Sequence, residues 1–86
     1  MRPFYQDYVS HMLRTYYRQD VPDNENWKCV DKVMKDETTN TQEVMKKIFS
    51  GGKVEENIKQ YNIDPAYAYK TIAIISRRIA KERGLL

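Results

Sequence analysis

The hydrophobic positions of the chain fall into five clusters, each at helical spacing and each set off by polar or helix-breaking residues. Over residues 4–18, Phe4, Tyr5, Tyr8, Val9, Met12, Leu13, Tyr16 and Tyr17 recur at i, i+3 and i+4. That interval stacks side chains on one face of an α-helix. Pro3 suits the first turn, where its missing N–H costs nothing. The polar stretch Asp20-Val21-Pro22-Asp23-Asn24 reads as a loop, because Pro22 disfavours the helical conformation at Val21. A second helix is predicted over 25–35, capped by Asp23 or Asn24, with Trp27, Val30 and Met34 on one face and Val33 beside them.

Residues 36–40 form a polar break, and a third helix is predicted over 40–50. Thr39 and Gln42 have the spacing of a capping box, and Val44, Met45, Ile48 and Phe49 make the apolar face. Gly51-Gly52 should end this helix, since glycine accepts the left-handed conformation of a helix terminus. A short fourth helix is predicted over 53–61, with Val54, Ile58 and Tyr61 on one side. Asn62 then tolerates positive φ, Ile63 turns inward, and Asp64-Pro65 supplies an acidic cap followed by proline at the first helical position. The fifth helix runs to Arg83 and stops at Gly84. Its inner stripe is Ala68, Ile72, Ile75 and Ile79.

The predicted fold class is therefore all-α, with five helices and a C-terminal helix-turn-helix. Three glycines and three prolines in 86 residues are too few for the turns of an all-β chain. A chain this short makes one domain with a thin core. We expect a single domain over 1–86, in which 1–38 form an N-terminal helical support and 39–86 the helix-turn-helix unit. Neither an internal repeat nor a low-complexity tract interrupts it.

Candidate chemistry is sparse. One cysteine, Cys29, excludes an internal disulfide and any multi-cysteine zinc site, and one histidine, His11, excludes most histidine-based metal sites. His11 has no cysteine, serine or second histidine at useful spacing, and Cys29 beside Trp27 and Val30 reads as a small apolar residue. The carboxylates Asp20, Asp23, Glu25, Asp31, Asp36 and Glu37 match no catalytic or metal-loop motif and read as a solvated face. With no phosphate-binding glycine loop and no nucleophile–base pair, the expectation is a non-enzyme without cofactor, catalytic residue or metal site. No apolar run reaches membrane-spanning length and no signal peptide is recognisable, so a cytoplasmic protein without a membrane partner is expected.

The informative stretch is 54–79. A helix-turn-helix needs an inward apolar residue in its first helix (Ile58). Its turn needs a residue of positive φ and an apolar plug (Asn62, Ile63). A small residue must sit where the second helix crosses close (Ala68). The outer N-terminal positions of the second helix then reach the major groove. Here these are Asp64, Pro65, Ala66, Tyr67, Tyr69 and Lys70. Arg77, Arg78 and Lys81 lie too far along the helix to read bases and are expected on phosphates.

The charge agrees. Fifteen Lys+Arg against twelve Asp+Glu leave only +3, but the distribution is uneven. From 65 to 86 there are five basic residues (Lys70, Arg77, Arg78, Lys81 and Arg83) and one acid, Glu82. From 20 to 45 there are seven acids and three lysines, so the mild total conceals a segregation of about −4 in the middle and +4 in the C-terminal helix.

Residues 41–83 resemble region 4 of bacterial sigma factors. The shared pattern is a helix like 41–49, then Gly51-Gly52, a Lys53-Val54-Glu55-Glu56 helix opening, a turn and a basic reading helix. The whole chain resembles small helix-turn-helix proteins of phages and integrative elements of Gram-positive bacteria. That likeness rests on Tyr8-Val9-Ser10-His11-Met12-Leu13-Arg14-Thr15-Tyr16-Tyr17-Arg18, on Asn26-Trp27, and on Arg78, Ile79, Ala80, Lys81, Arg83, Gly84 and Leu85. The resemblance implies binding to double-stranded DNA and transcriptional control of a mobile element, with RNA polymerase as a further candidate partner. Nothing in the chain resembles regions 2 and 3 of a sigma factor, so an accessory regulator is expected rather than a promoter-melting factor.

Two readings stay open. The first is a sequence-specific DNA-binding regulator, with a homodimer as its candidate form because one reader of this size buries little DNA alone. The second is a protein–protein interaction module, an RNA-polymerase-binding or anti-regulator factor, motivated by the aromatic first helix and the acidic centre. The tyrosines of the first helix suit core packing or a dimer interface, with stacking on nucleic-acid bases as the alternative.

Overall fold

In a computed structural model of the protein, residues 3–18 and 24–86 are described, apart from the side chain of Asn24. Their regular structure is entirely helical: α1 (Gln6–Arg18), α2 (Asn24–Lys35), α3 (Thr39–Ile48), α4 (Val54–Gln60) and α5 (Pro65–Arg83). The expected loop over 20–24 and the capping of α2 by Asp23 or Asn24 lie outside the described residues.

The helix limits follow local chemistry, with small departures from the sequence pattern. Phe4 and Tyr5 form a turn ahead of α1, in which the Gln6 N–H donates to the Pro3 carbonyl at 3.0 Å. Tyr5 still joins the core, but Phe4 is exposed. The cap of α3 is Thr38 rather than Thr39: its hydroxyl accepts from the Thr41 N–H at 3.2 Å, and the Gln42 amide reaches back to the Glu37 carbonyl at 3.0 Å. The threonine cap is thus displaced by one residue, and the reciprocal half of the expected capping box is replaced: Gln42 donates to the Glu37 carbonyl instead of accepting from the cap N–H. α3 ends at Ile48, so Gly51 and Gly52, both at positive φ, shape the following loop rather than the helix terminus itself.

The termini of α4 and α5 show the same device. Asn62 lies at φ 54°. Its N–H donates to the Lys59 carbonyl, and the Ile63 N–H donates to the Ile58 carbonyl. This is a Schellman motif, which satisfies two terminal carbonyls and lays the apolar Ile63 back toward Ile58. Gly84 and Leu85 repeat it on Lys81 and Ala80. At the start of α5 the Asp64 carboxylate accepts from the Tyr67 N–H at 3.0 Å, and Pro65 occupies the first helical position.

α5 is the central helix and packs on α1, α2 and α3. α1 also packs on α2, and α4 packs mainly on α3. One apolar core draws on every helix: Val9, Met12 and Leu13, then Val30, Val33 and Met34, then Met45 and Ile48, then Ile58, then Ala68, Ile72, Ile75 and Ile79. Each large aliphatic side chain among them stabilises the fold by roughly 1.5–3 kcal/mol relative to exposure. Helices α1 and α2 therefore share one core with α3, α4 and α5.

Buried polar groups tie the helices together. Asn57, on α4, donates through Nδ2 to the carbonyls of Ile48 (2.8 Å) and Gly51 (2.6 Å), so α4 caps the open end of α3. The Gln6 amide donates to the hydroxyl of the fully buried Ser76 at 3.3 Å, linking α1 to α5. The Asn26 side-chain Oδ1 accepts from Arg83 Nε at 2.8 Å, linking α2 to the end of α5.

Candidate nucleic-acid interface

The outward face of α5 gathers some of the expected residues and separates others. Ala66, Lys70, Arg77 and Lys81 are exposed, at spacings of four, seven and four that keep them on one face. Lys70 and Lys81 stand about 16 Å apart along the axis at 1.5 Å per residue. Ala73 and Ile74 lie on the same face, and Ile74 is 51% exposed. Sequence reasoning passed over both, although their spacing from Lys70 and Arg77 places them there. Tyr67 is exposed at the edge of this face. Pro65 and Asp64 sit at the tip of the helix, with the Asp64 carboxylate engaged as a cap.

Tyr69 is exposed on the flank of α5 that faces α1. It lines an open cleft of about 520 Å³ between α5 and α1, together with Gln6, Ser10, Arg14, Glu55 and Ala73. Arg78 is also off the outward face. It is half-buried, and its guanidinium meets Glu37 at 2.6 Å and Asp36 at 3.5 Å, at the junction of α2 and α3.

The phase of α5, set by its buried stripe, fixes this sorting, and ion pairs then take up part of the charge. Of the five basic residues of the C-terminal segment, Arg78 meets both Glu37 and Asp36, and Arg83 meets Glu25 at 3.3 Å. Asp31 pairs with Lys35 at 2.8 Å within the acidic stretch, and Lys32 of that stretch pairs with Glu82 of α5 at 2.7 Å. Tyr16 and Lys35 together hold the Asp31 carboxyl below its ordinary range, the lysine contributing more. Among the described residues of the acidic centre, Glu25, Asp31, Asp36 and Glu37 thus each meet a cation. Lys70, Arg77 and Lys81 form no ion pair among the described residues, so the basic excess of α5 faces outward.

The aromatic residues of α1 are built into the protein. Tyr17 stacks on Phe49 with ring centroids 6.4 Å apart. Tyr16 meets Trp27 edge-on and donates its hydroxyl to Asp31 at 2.9 Å. Tyr8, partly exposed, pairs with the Asn26 side chain. Burial raises the phenol of Tyr16 to about 12, with further contributions from the hydrogen bond and charge of Asp31. Burial also pushes the Cys29 thiol up, opposite to the direction that activates a nucleophile. Among the described residues no group of three or more metal-ligating side chains comes together, and no helix is long and apolar enough to cross a membrane.

In comparisons with known proteins, no family model, no characterised protein and no solved structure matches the chain.

Proposed function

We propose that the protein is a DNA-binding regulator in which α4, the turn after it and α5 act as a helix-turn-helix, with α5 as the recognition helix in the major groove. The observation that carries this reading is the row Ala66, Lys70, Arg77 and Lys81 on the outer face of α5. Its three cations have no ion-pair partner among the described residues, while Arg78 and Arg83 of the same helix are spent on internal acids. An unneutralised cationic row is what a phosphate-lined groove selects. Pro65, Ala66, Tyr67 and Lys70 occupy the turns from which recognition helices reach base edges, and Arg77 and Lys81 are placed for backbone phosphates. The resemblance to mobile-element proteins and to sigma region 4 extends the reading to transcriptional control.

Selection of bound sequences from a random duplex pool tests it. The expected result is a short preferred site, palindromic if the protein binds as a dimer, that changes when Tyr67 or Lys70 is substituted. Retention of no duplex at low salt would sink the reading.

A second reading rests on Ile74, an exposed aliphatic residue in the middle of the cationic row. Such a residue also suits a protein partner, RNA polymerase or a regulator, docked on α5. Loss of binding to purified RNA polymerase in Ile74→Ser, with duplex binding absent in both forms, would favour it.

A further inference from the structure

A second set of cations lies across the cleft from α5. Arg14 and Arg18, one helical turn apart on α1, line an open groove with Gly52 and Lys53 of the loop between α3 and α4. The Arg18 guanidinium donates to the Gly52 carbonyl at 3.1 Å, which fixes the loop against α1 and holds its charge at the groove. Arg14 and Lys53 are exposed and form no ion pair among the described residues. Glu55 is the one carboxylate lining the groove. The groove is continuous with the larger cleft: Arg14, Val54 and Glu55 line both. The opposite wall of that cleft is Tyr69 and Ala73 of α5, and Ala73 also belongs to the outward face that carries Lys70 and Arg77. A cationic surface therefore runs from the outer face of α5, across the exposed Tyr69, to α1 and the loop.

We propose that Arg14 and Lys53 bind the sugar-phosphate backbone of the same DNA duplex whose major groove receives α5, with Arg18 positioning the loop that carries Lys53. The inference rests on the reading of α5 as the duplex-facing helix and adds α1 and the α3–α4 loop as its second wall. The chemistry favours phosphate over a buried small ligand. The cleft is open, its cations sit on long, exposed side chains, and its apolar floor of Phe49, Val54 and Ile72 belongs to the core cluster or packs against it. Phosphate contacts of this kind position a protein on the duplex and carry no sequence information.

The test is duplex binding by the full chain, followed by fluorescence anisotropy across a salt series. The forms compared are wild type, Arg14→Gln/Lys53→Gln, Glu55→Gln, Lys70→Gln/Arg77→Gln, and Lys28→Gln as a cation on α2. Circular dichroism checks that each variant is folded. Each phosphate contact contributes about 0.9 to the slope of log affinity against log salt. The Arg14→Gln/Lys53→Gln protein should lose about 1.8 of that slope and roughly tenfold or more in affinity at 0.1 M salt, equally for every duplex sequence. Glu55→Gln should tighten binding, an effect that damage to the fold cannot mimic. Lys28→Gln should leave the slope unchanged. If Lys70→Gln/Arg77→Gln weakens binding while Arg14→Gln/Lys53→Gln and Glu55→Gln leave it unaltered, the second wall is wrong and the α5 reading stands. If Lys28→Gln acts as strongly as Arg14→Gln/Lys53→Gln, the effect is net charge and the inference is overturned. If the wild type binds no duplex, the α5 reading falls and the second wall falls with it.

Discussion

Asn57 of α4 holds the carbonyl of Ile48, the last residue of α3, through a buried hydrogen bond of 2.8 Å. The same amide nitrogen takes the Gly51 carbonyl, so one side chain satisfies two backbone acceptors, one at the end of α3 and one in the loop that follows. Replacing it with alanine strands both. Asn57→Ala should cost about 1–3 kcal/mol in urea denaturation. Asn57→Asp should cost more at neutral pH, because a carboxylate would then face two carbonyl oxygens. Part of that excess should be recovered in acid, where the protonated carboxyl can donate once. Equal stability of the alanine and aspartate variants at neutral pH would contradict the assignment.

The turn into α5 makes a conformational demand at Asn62, which sits at φ 54°. A β-branched residue is strained there and glycine is not. Asn62→Val should lower stability by about 1–2 kcal/mol, and Asn62→Gly should stay within a few tenths of the wild type. Thermal melts of the two variants separate backbone strain from loss of the side chain, since both remove the asparagine amide.

Arg78 and Glu37 are 41 positions apart in the chain and bridge α5 to the end of α2. Their pair is only partly shielded from solvent, so its contribution should be about 1 kcal/mol and should shrink with added salt. A double-mutant cycle of Arg78→Gln with Glu37→Gln measures it. In duplex binding, Arg78→Gln should move the salt slope less than Arg77→Gln, because Arg78 already has its anions. A larger effect at Arg78 would mean that it leaves Glu37 to meet DNA.

Tyr16 links stability to alkaline pH. Its folded value of about 12 lies above the ordinary 10.0, so folding favours the protonated phenol. The associated stability is fully present below pH 10 and is lost as pH rises from 10 toward 12. Tyr17 is raised in the same direction, chiefly by burial. Melting temperature should fall across this window. The advantage of wild type over Tyr16→Phe should narrow there, because phenylalanine has no proton to lose. A constant difference between the two proteins through the window would refute the linkage.

Much of the fold is legible in the sequence because its determinants are local. A cap, a proline at the first helical position, an αL residue and a 3–4 spacing act within a few residues, so they are readable in order along the chain. That is why α5, from its Asp64 cap to Gly84, has the limits expected of it. The inner stripe Ala68, Ile72, Ile75 and Ile79 is likewise the buried one. The one-residue shift of the α3 cap reflects a choice between adjacent threonines with the same chemistry, Thr38 and Thr39.

The candidate site was only partly legible, for the opposite reason. The sequence by itself determined five amphipathic helices and a basic C-terminal segment. Tertiary structure alone decided which cations remain available. Arg77 and Arg78 are neighbours of the same type, yet one step of 100° turns Arg78 toward Asp36 and Glu37 and leaves Arg77 outside. Arg14 and Lys53 lie far apart in sequence and face one groove because α1 and the α3–α4 loop meet there. Asn57 looked like any polar residue of a short helix until packing buried it against two carbonyls. Helical periodicity is a property of the local backbone. The neutralisation or release of a charge depends on long-range contacts, which exist only once the core has closed.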